Sequence, residues 1–206
     1  QIGRILDALD ETGQADKTLV VFTSDHGDMV GGHRMWIKGW IPYEETYRVP
    51  LIVRWPGHTK PGSHTANLVS THFLAHTYVD AAGAEKLPYA DGTSLVPLLE
   101  NPQRPGWMDQ ILCAYYGGEF LYTQRIAITA QHKYVFNGFG IDECYDLAND
   151  PHEMHNIAES AAHRAAVDDM RARLYEIMNQ YADPFGDLPQ PDGTHRGDRH
   201  CAPRYL

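Results

Sequence analysis

Between Thr18 and Trp40 the sequence reads TLVVFTSDHGDMVGGHRMWIKGW, an apolar run that ends in Asp25, His26, a second histidine at His33 and a lysine at Lys38. A carboxylate and an imidazole side by side at a strand end are a hard and a borderline donor, a pair suited to Ca²⁺, Mg²⁺, Mn²⁺ or Zn²⁺. Calcium among these asks for further oxygens. Lys38, thirteen residues beyond Asp25, carries a compact charge that matches a tetrahedral oxyanion and can neutralise a non-bridging or leaving oxygen. The plainer alternatives are an aspartate capping a turn beside a surface histidine, and a solvated lysine. His33 fits a substrate-facing role and a loop-tying role equally. Trp36, Trp40 and Tyr43 in the same loop can stack on a sugar or an aryl group, or form the loop's own core.

These groups need elements to hold them. Thr18 to Phe22 is short, β-branched and apolar, as in a parallel-sheet strand covered on both faces, and Asp25 and His26 then lie just past its carboxyl end, where open α/β sheets bind ligands. Before it, Ile2, Ile5, Leu6 and Leu9 keep helical spacing, with Gly13 placed to close the helix. Arg48 to Gly57 reads as a second buried strand ended by Pro-Gly, and residues 68–83 as a helix. From about Gln110 the pattern changes to short strands, ILCAYY, RIAITA and KYVFNG, which predict a small antiparallel sheet. A last helix is predicted over Ala161–Tyr181, with Val167, Met170, Leu174, Ile177 and Met178 on one face. We divide the chain at 1–109 (α/β), 110–183 (sheet and helix) and 184–206 (an extended tail).

Composition narrows the partners. In 206 residues, 43% are hydrophobic and 21% charged, and no apolar run approaches the ~20 residues of a membrane span. A formal charge of −10 argues against nucleic-acid and anionic-membrane surfaces, which want clustered Lys and Arg. Any anionic ligand must be held locally, by a metal or a few placed cations. Cys113, Cys144 and Cys201 have no metal-site spacing and cannot all pair. The twelve histidines are scattered, apart from the i, i+4 pair His72 and His76 on the predicted helix.

TSDHGDMVGGHRMWIKG followed by YEETYRVPLIVRWPG resembles the C-terminal half of the sulfatases, in the alkaline-phosphatase-like superfamily, and ADGTSLVPLL and ECYDLANDPHEMHNIA are similar to that family's later motifs in the same order. The resemblance runs to about Tyr181. It implies an α/β fold, part of a largely parallel sheet flanked by helices, followed by a small antiparallel sheet and a C-terminal helix. It also implies a metal-dependent sulfuric ester hydrolase in which Asp25 and His26 complete a site for one divalent cation, Ca²⁺ first with Mn²⁺, Mg²⁺ or Zn²⁺ as alternatives, Lys38 contacts the sulfate, and His33 is a recurrent site histidine. Small sugar or aryl sulfates are the implied substrates. The superfamily also contains phosphodiester and phosphonate monoester hydrolases. A binding fragment keeping the fold without the chemistry is the third reading. In the motif YEETYRVP, a glutamate pairing with Arg48 to fix the approach to the next strand explains the residues without catalysis. Asp146, Asp150 and Asn156 likewise read as turn and cap residues.

The family's nucleophile comes from a Cys/Ser-x-Pro-x-Arg motif converted to formylglycine, and no such motif occurs here; CAPR at Cys201–Arg204 sets its arginine one residue early. The family's first pair of metal-binding aspartates is missing as well. The family pattern has Asp in place of Phe73 and Pro in place of His76, so the helix there departs from it. Because the chain opens on Gln1 inside a helical pattern, we expect an N-terminal half, as the same chain or a separate one, to supply formylglycine and the remaining ligands, and this chain to be inactive alone. Oligomerisation and compartment stay open: a signal peptide for a periplasmic or secreted enzyme would lie in the absent part, and a cytoplasmic one would lack it.

Overall fold

A computed structural model describes residues 1–88, 91–117, 122–138 and 140–187. The chain divides into two compact units, Gln1–Lys38 with Glu45–Met108, and Gly39–Glu44 with Asp109–Leu206.

In the first unit, α1 (Ile2–Glu11) forms where the helical spacing predicts it, and Gly13 closes it in a left-handed conformation (φ +64°). The apolar runs become β1 (Val20–Thr23) and β2 (Leu51–Arg54). Of the expected parallel sheet, the described residues of this unit hold these two strands, and they pair antiparallel, Val21 opposite Val53 and Phe22 opposite Ile52. The segment between them is long enough for a parallel return, but it holds a tight turn and the single-turn α2 (Glu44–Tyr47) in place of the crossover helix that such a return usually uses. Alternation then separates the two faces. Val21 and Leu51 pack against a core of Phe73, Leu74, Leu95 and Leu98, contributed by α3 (Phe73–Ala81), Leu95 and α4 (Val96–Glu100). Phe22 and Ile52, on the other face, are 40% and 63% exposed. Buried Thr77 ties α3 to the start of α4: its hydroxyl donates to the Phe73 carbonyl (2.8 Å) and accepts from the Leu95 N–H (2.8 Å).

The second unit is a four-stranded antiparallel meander, β3 (Gln110–Tyr115), β4 (Gln124–Thr129), β5 (His132–Phe136) and β6 (Glu143–Asp146), with α5 (Arg164–Gln180) packed on it. Register places Leu112, Ala127, Tyr134 and Cys144 in one cross-strand row. This row meets Val167, Met170, Leu174 and Met178 of α5, four of the five residues on the expected face, and the fifth, Ile177, is buried too. Lys133 lies on the opposite sheet face, fully buried. Its ammonium reaches Glu44 Oε1 and Glu153 Oε1 (2.7 Å each) and donates to the Pro42 carbonyl (3.0 Å), while Glu153 Oε2 accepts the Glu44 N–H (2.6 Å). This cluster fixes the strap Gly39–Glu44. Asp146 accepts the Ala148 and Asn149 N–H groups, and Asn156 accepts those of Cys144 and Ala158, as turn and cap residues do. Of the expected tail, only residues up to 187 are described, and Cys201–Arg204 lies outside them.

Candidate metal and anion site

β1 ends at Thr23, and the chain turns at once. Ser24 Oγ donates to the His26 carbonyl (2.8 Å), and the His26 N–H donates to Asp25 Oδ1 (3.0 Å). That backbone donor holds the exposed Asp25 carboxyl below the usual carboxylate range. Gly27 makes the turn possible: its N–H donates to the Thr46 carbonyl at 2.8 Å, and a Cβ there would overlap the Glu45 carbonyl.

The next turn, Met29 to Met35, is closed by Gly32 N–H to Met29 O (2.7 Å), Met35 N–H to Gly32 O (2.8 Å) and Gly31 N–H to Met35 O (2.8 Å). Met29 roots it at 2% exposure, with the Thr46 hydroxyl 3.4 Å from its sulfur, and Gly32 lies against the Glu45 side chain. Glu45 is therefore a common strut for both turns. Val30, His33 and Arg34 all adopt positive φ (43°, 48° and 61°). Such conformations cost of order 1–3 kcal/mol each and persist where the surroundings over-determine them. His33 is half-buried at the centre of this turn.

Three of the four expected site residues converge. His26 Nε2 lies 3.4 Å from Asp25 Oδ2 and 3.0 Å from Lys38 Nζ, while His26 Nδ1 lies 2.8 Å from the Gly27 carbonyl. A carbonyl only accepts and an ammonium only donates, so both ring contacts are satisfied together by a neutral imidazole with its proton on Nδ1 and its Nε2 lone pair toward Lys38. Donors on one metal ion at bonds of about 2.0–2.2 Å stand roughly 3 Å apart, close to the separation of Asp25 Oδ2 and His26 Nε2. The side chains fit a share of a divalent-cation site, with the Lys38 ammonium a cationic stand-in beside the two donors. Among the described residues, no group of three His, Cys, Asp or Glu side chains is placed to hold a metal.

The remaining candidates part from the site. His72 and His76 belong to the first unit at α3, where His72 Nδ1 meets Ser70 Oγ (2.9 Å), His76 Nε2 meets the Asp91 carbonyl (3.1 Å), and partial burial lowers the His72 pKa. Glu44, one of the two glutamates of the YEETYRVP motif, forms an ion pair with Lys133. The sequence reading missed the strut role of Glu45 and the need for glycine at 27. Its available signal was a glycine directly after the Asp-His pair.

Residues 31–180 match the family described as N-sulphoglucosamine sulphohydrolase, C-terminal. The chain is 33% identical to the N-acetylglucosamine-6-O-sulfatase of Bacteroides thetaiotaomicron, over 96% of this chain and 36% of that protein. It superposes with a TM-score of 0.84 and 32% identity on a protein solved in complex with its substrate D-glucosamine-2-N,6-O-disulfate, covering 92% of this chain and 40% of that one. The phosphonate monoester hydrolase of Agrobacterium radiobacter superposes with a TM-score of 0.79 at 28% identity, covering 95% and 42%. The chain thus spans little more than a third of the length of the curated relatives it matches. These solved relatives carry the alkaline-phosphatase-like fold, and this chain is α/β with a small antiparallel sheet and a C-terminal helix.

Proposed function

Because the chain belongs to the family of sulphohydrolase C-terminal domains, we propose that it is the C-terminal portion of a metal-dependent sulfuric ester hydrolase acting on a small sulfated sugar. The observation that carries this reading is the meeting of the Asp25 carboxylate, the His26 lone pair and the Lys38 ammonium at the end of β1. The sugar sulfate follows from relatives whose names and bound substrate are sulfated glucosamines.

In this reading Asp25 and His26 supply one oxygen and one nitrogen ligand to a divalent cation, Ca²⁺ first, and a cation so held polarises the sulfate and stabilises negative charge near it. The remaining ligands and the nucleophile, a formylglycine, belong to an N-terminal half. Asp25 adds negative charge to the ligand set while its Oδ1 is held by the His26 N–H. The Gly27 carbonyl keeps the proton of His26 on Nδ1 and leaves Nε2 free to ligate. Lys38 Nζ, a mobile point charge at the same place, binds a non-bridging sulfate oxygen and neutralises charge on the leaving oxygen as the S–O bond breaks. His33 is assigned to the same site, facing the substrate from the strained turn.

The test is Lys38→Ala in the complete enzyme. Deleting one preorganised electrostatic contact lowers kcat/KM by roughly 10²- to 10³-fold, about 2.7–4 kcal/mol, with unchanged circular dichroism and a smaller loss for esters with good leaving groups. Undiminished turnover in Lys38→Ala, or full activity and unchanged metal content in Asp25→Ala, overturns the assignment. The phosphonate monoester hydrolase likeness supports a second reading, phosphodiester or phosphonate ester hydrolysis. Matched sulfate and phosphonate esters separate the two by their kcat/KM ratio.

A further inference from the structure

Three aromatic side chains flank Lys38 in sequence, and their environments differ sharply. Trp40 is set edge-on against Tyr122 (centroids 6.0 Å apart, 78° between planes) and Tyr43 against Tyr145 (6.0 Å, 67°), so both are occupied as packing residues of the strap unit. Trp36 is 74% exposed. Its six-membered ring lies beside Gly31, where a Cβ would stand 3.7 Å from Cζ2 and 3.8 Å from Cη2. Gly31 (φ +98°), having no side chain, leaves that part of the indole uncovered.

The element presenting this ring is rigid for a surface turn. It is rooted by buried Met29, strutted by Glu45 through Gly32, closed by the three backbone hydrogen bonds of 2.7–2.8 Å, and contains three of the non-glycine residues at positive φ, Val30, His33 and Arg34. Strain held in place beside a cluster of chargeable groups marks a position whose geometry matters. Trp36 also precedes Lys38 by two residues, a Cα span of at most about 7 Å, and the Lys38 ammonium contacts His26. Val30 and Ile37, 70% and 54% exposed, extend the apolar surface on the same turn.

Resting on the sulfatase reading, we propose that Trp36 is the sugar platform of the site, its open indole face receiving the apolar C–H face of the pyranose that carries the sulfate ester. Polar groups neighbour the ring in the chain, with Asp28, Arg34 and Lys38 exposed along the same segment. A flat aryl group gains most from enclosure between apolar walls. A pyranose needs one apolar face, with its hydroxyl edges left to polar groups and water.

The experiment uses the complete enzyme with glucosamine 6-sulfate, which has a ring to stack, and methyl sulfate, which has none. Trp36→Ala raises KM for the sugar sulfate about tenfold with kcat changed less than twofold, Trp36→Phe lies between, and the effect is confined to ring-bearing esters. An equal rise for methyl sulfate, or no rise for glucosamine 6-sulfate, overturns the platform. If the wild type hydrolyses no sulfate ester, the sulfatase reading falls, and equilibrium binding of N-acetylglucosamine 6-sulfate decides the platform separately. Weaker binding to Trp36→Ala than to wild type upholds it, and equal or absent binding overturns it. At 74% exposure the side chain contributes little packing, and Trp36→Gln repeats the test with a longer polar replacement should the alanine variant fold poorly.

Discussion

Gly27→Ala tests whether the site is held by backbone packing. Gly27 has no positive φ, so alanine suffers no dihedral penalty and any cost is steric. The new Cβ would overlap the Glu45 carbonyl oxygen, stand 3.0 Å from the Glu45 carbonyl carbon and 3.4 Å from Thr46 Cα, all backbone atoms that cannot rotate aside. The overlap with the carbonyl oxygen sets the requirement, so the two segments must part by more than about 1 Å. Overpacking of this kind costs about 1–3 kcal/mol, and stretching the 2.8 Å bond from Gly27 N–H to the Thr46 carbonyl adds about 1 kcal/mol. Because Asp25 and His26 ride on the same turn, a displacement near 1 Å also lowers kcat/KM by about 10²-fold. Two controls share the substitution without the clash. Gly32→Ala meets the Glu45 side chain at 3.2–3.3 Å, which can swing away, and Gly3→Ala meets nothing within 4 Å; on helix propensity the latter stabilises by up to about 1 kcal/mol. Urea unfolding midpoints and kcat/KM of the three variants in the complete enzyme settle the matter. Wild-type values for Gly27→Ala, or an equal loss in Gly32→Ala, would refute the reasoning.

Asp183→Asn should destabilise by about 3–5 kcal/mol, because Arg125, fully buried, loses a carboxylate at 2.6 Å and keeps neutral acceptors at Thr123 Oγ1 and the Gln124 and Tyr115 carbonyls, with Tyr116 and Phe185 rings 4.3 and 4.6 Å from its guanidinium carbon. Replacing both partners by Met and Leu should recover most of the loss, and a urea midpoint unchanged by Asp183→Asn would show the pair to be dispensable. Burial pushes the Cys113 and Cys144 thiols up to about 11, so iodoacetamide at pH 8 should leave both unmodified in the native protein and alkylate both in denaturant, as read by peptide mass. Native alkylation of Cys144 at the rate of a free thiol would contradict its burial.

Periodicity made parts of the fold readable. The α5 stripe was legible residue by residue because 3.6-residue spacing specifies a helix face directly, and β1 and β2 were legible as strands from their β-branched content. Their mutual direction was not, since it depends on the path of the connection, which the strand residues do not carry. Nor were the buried charges. Lys133 reads as one polar position in an alternating strand, which normally means a solvated face. Its inward placement depends on Glu44 and Glu153, 89 residues before and 20 after it in the chain, and on the Pro42 carbonyl.

The site shows the same division between what side-chain letters carry and what backbone carries. Asp25, His26 and Lys38 could be picked out as groups able to hold a cation and an anion, but adjacency alone does not say which ring nitrogen of His26 is free. The Gly27 carbonyl decides that at 2.8 Å from Nδ1, and Gly27 can present it only because its missing Cβ lets the turn press on Glu45. With the proton kept on Nδ1, the Nε2 lone pair serves one cation at a time: here it accepts from the Lys38 ammonium at 3.0 Å. A metal ion bound through that lone pair would free the ammonium, which then stands beside the metal as a second, movable positive charge for the same anion. The glycine that tightens the turn, the carbonyl that sets the tautomer and the lysine thirteen residues on thus act as one arrangement, with its chemistry at Nε2 of a single histidine.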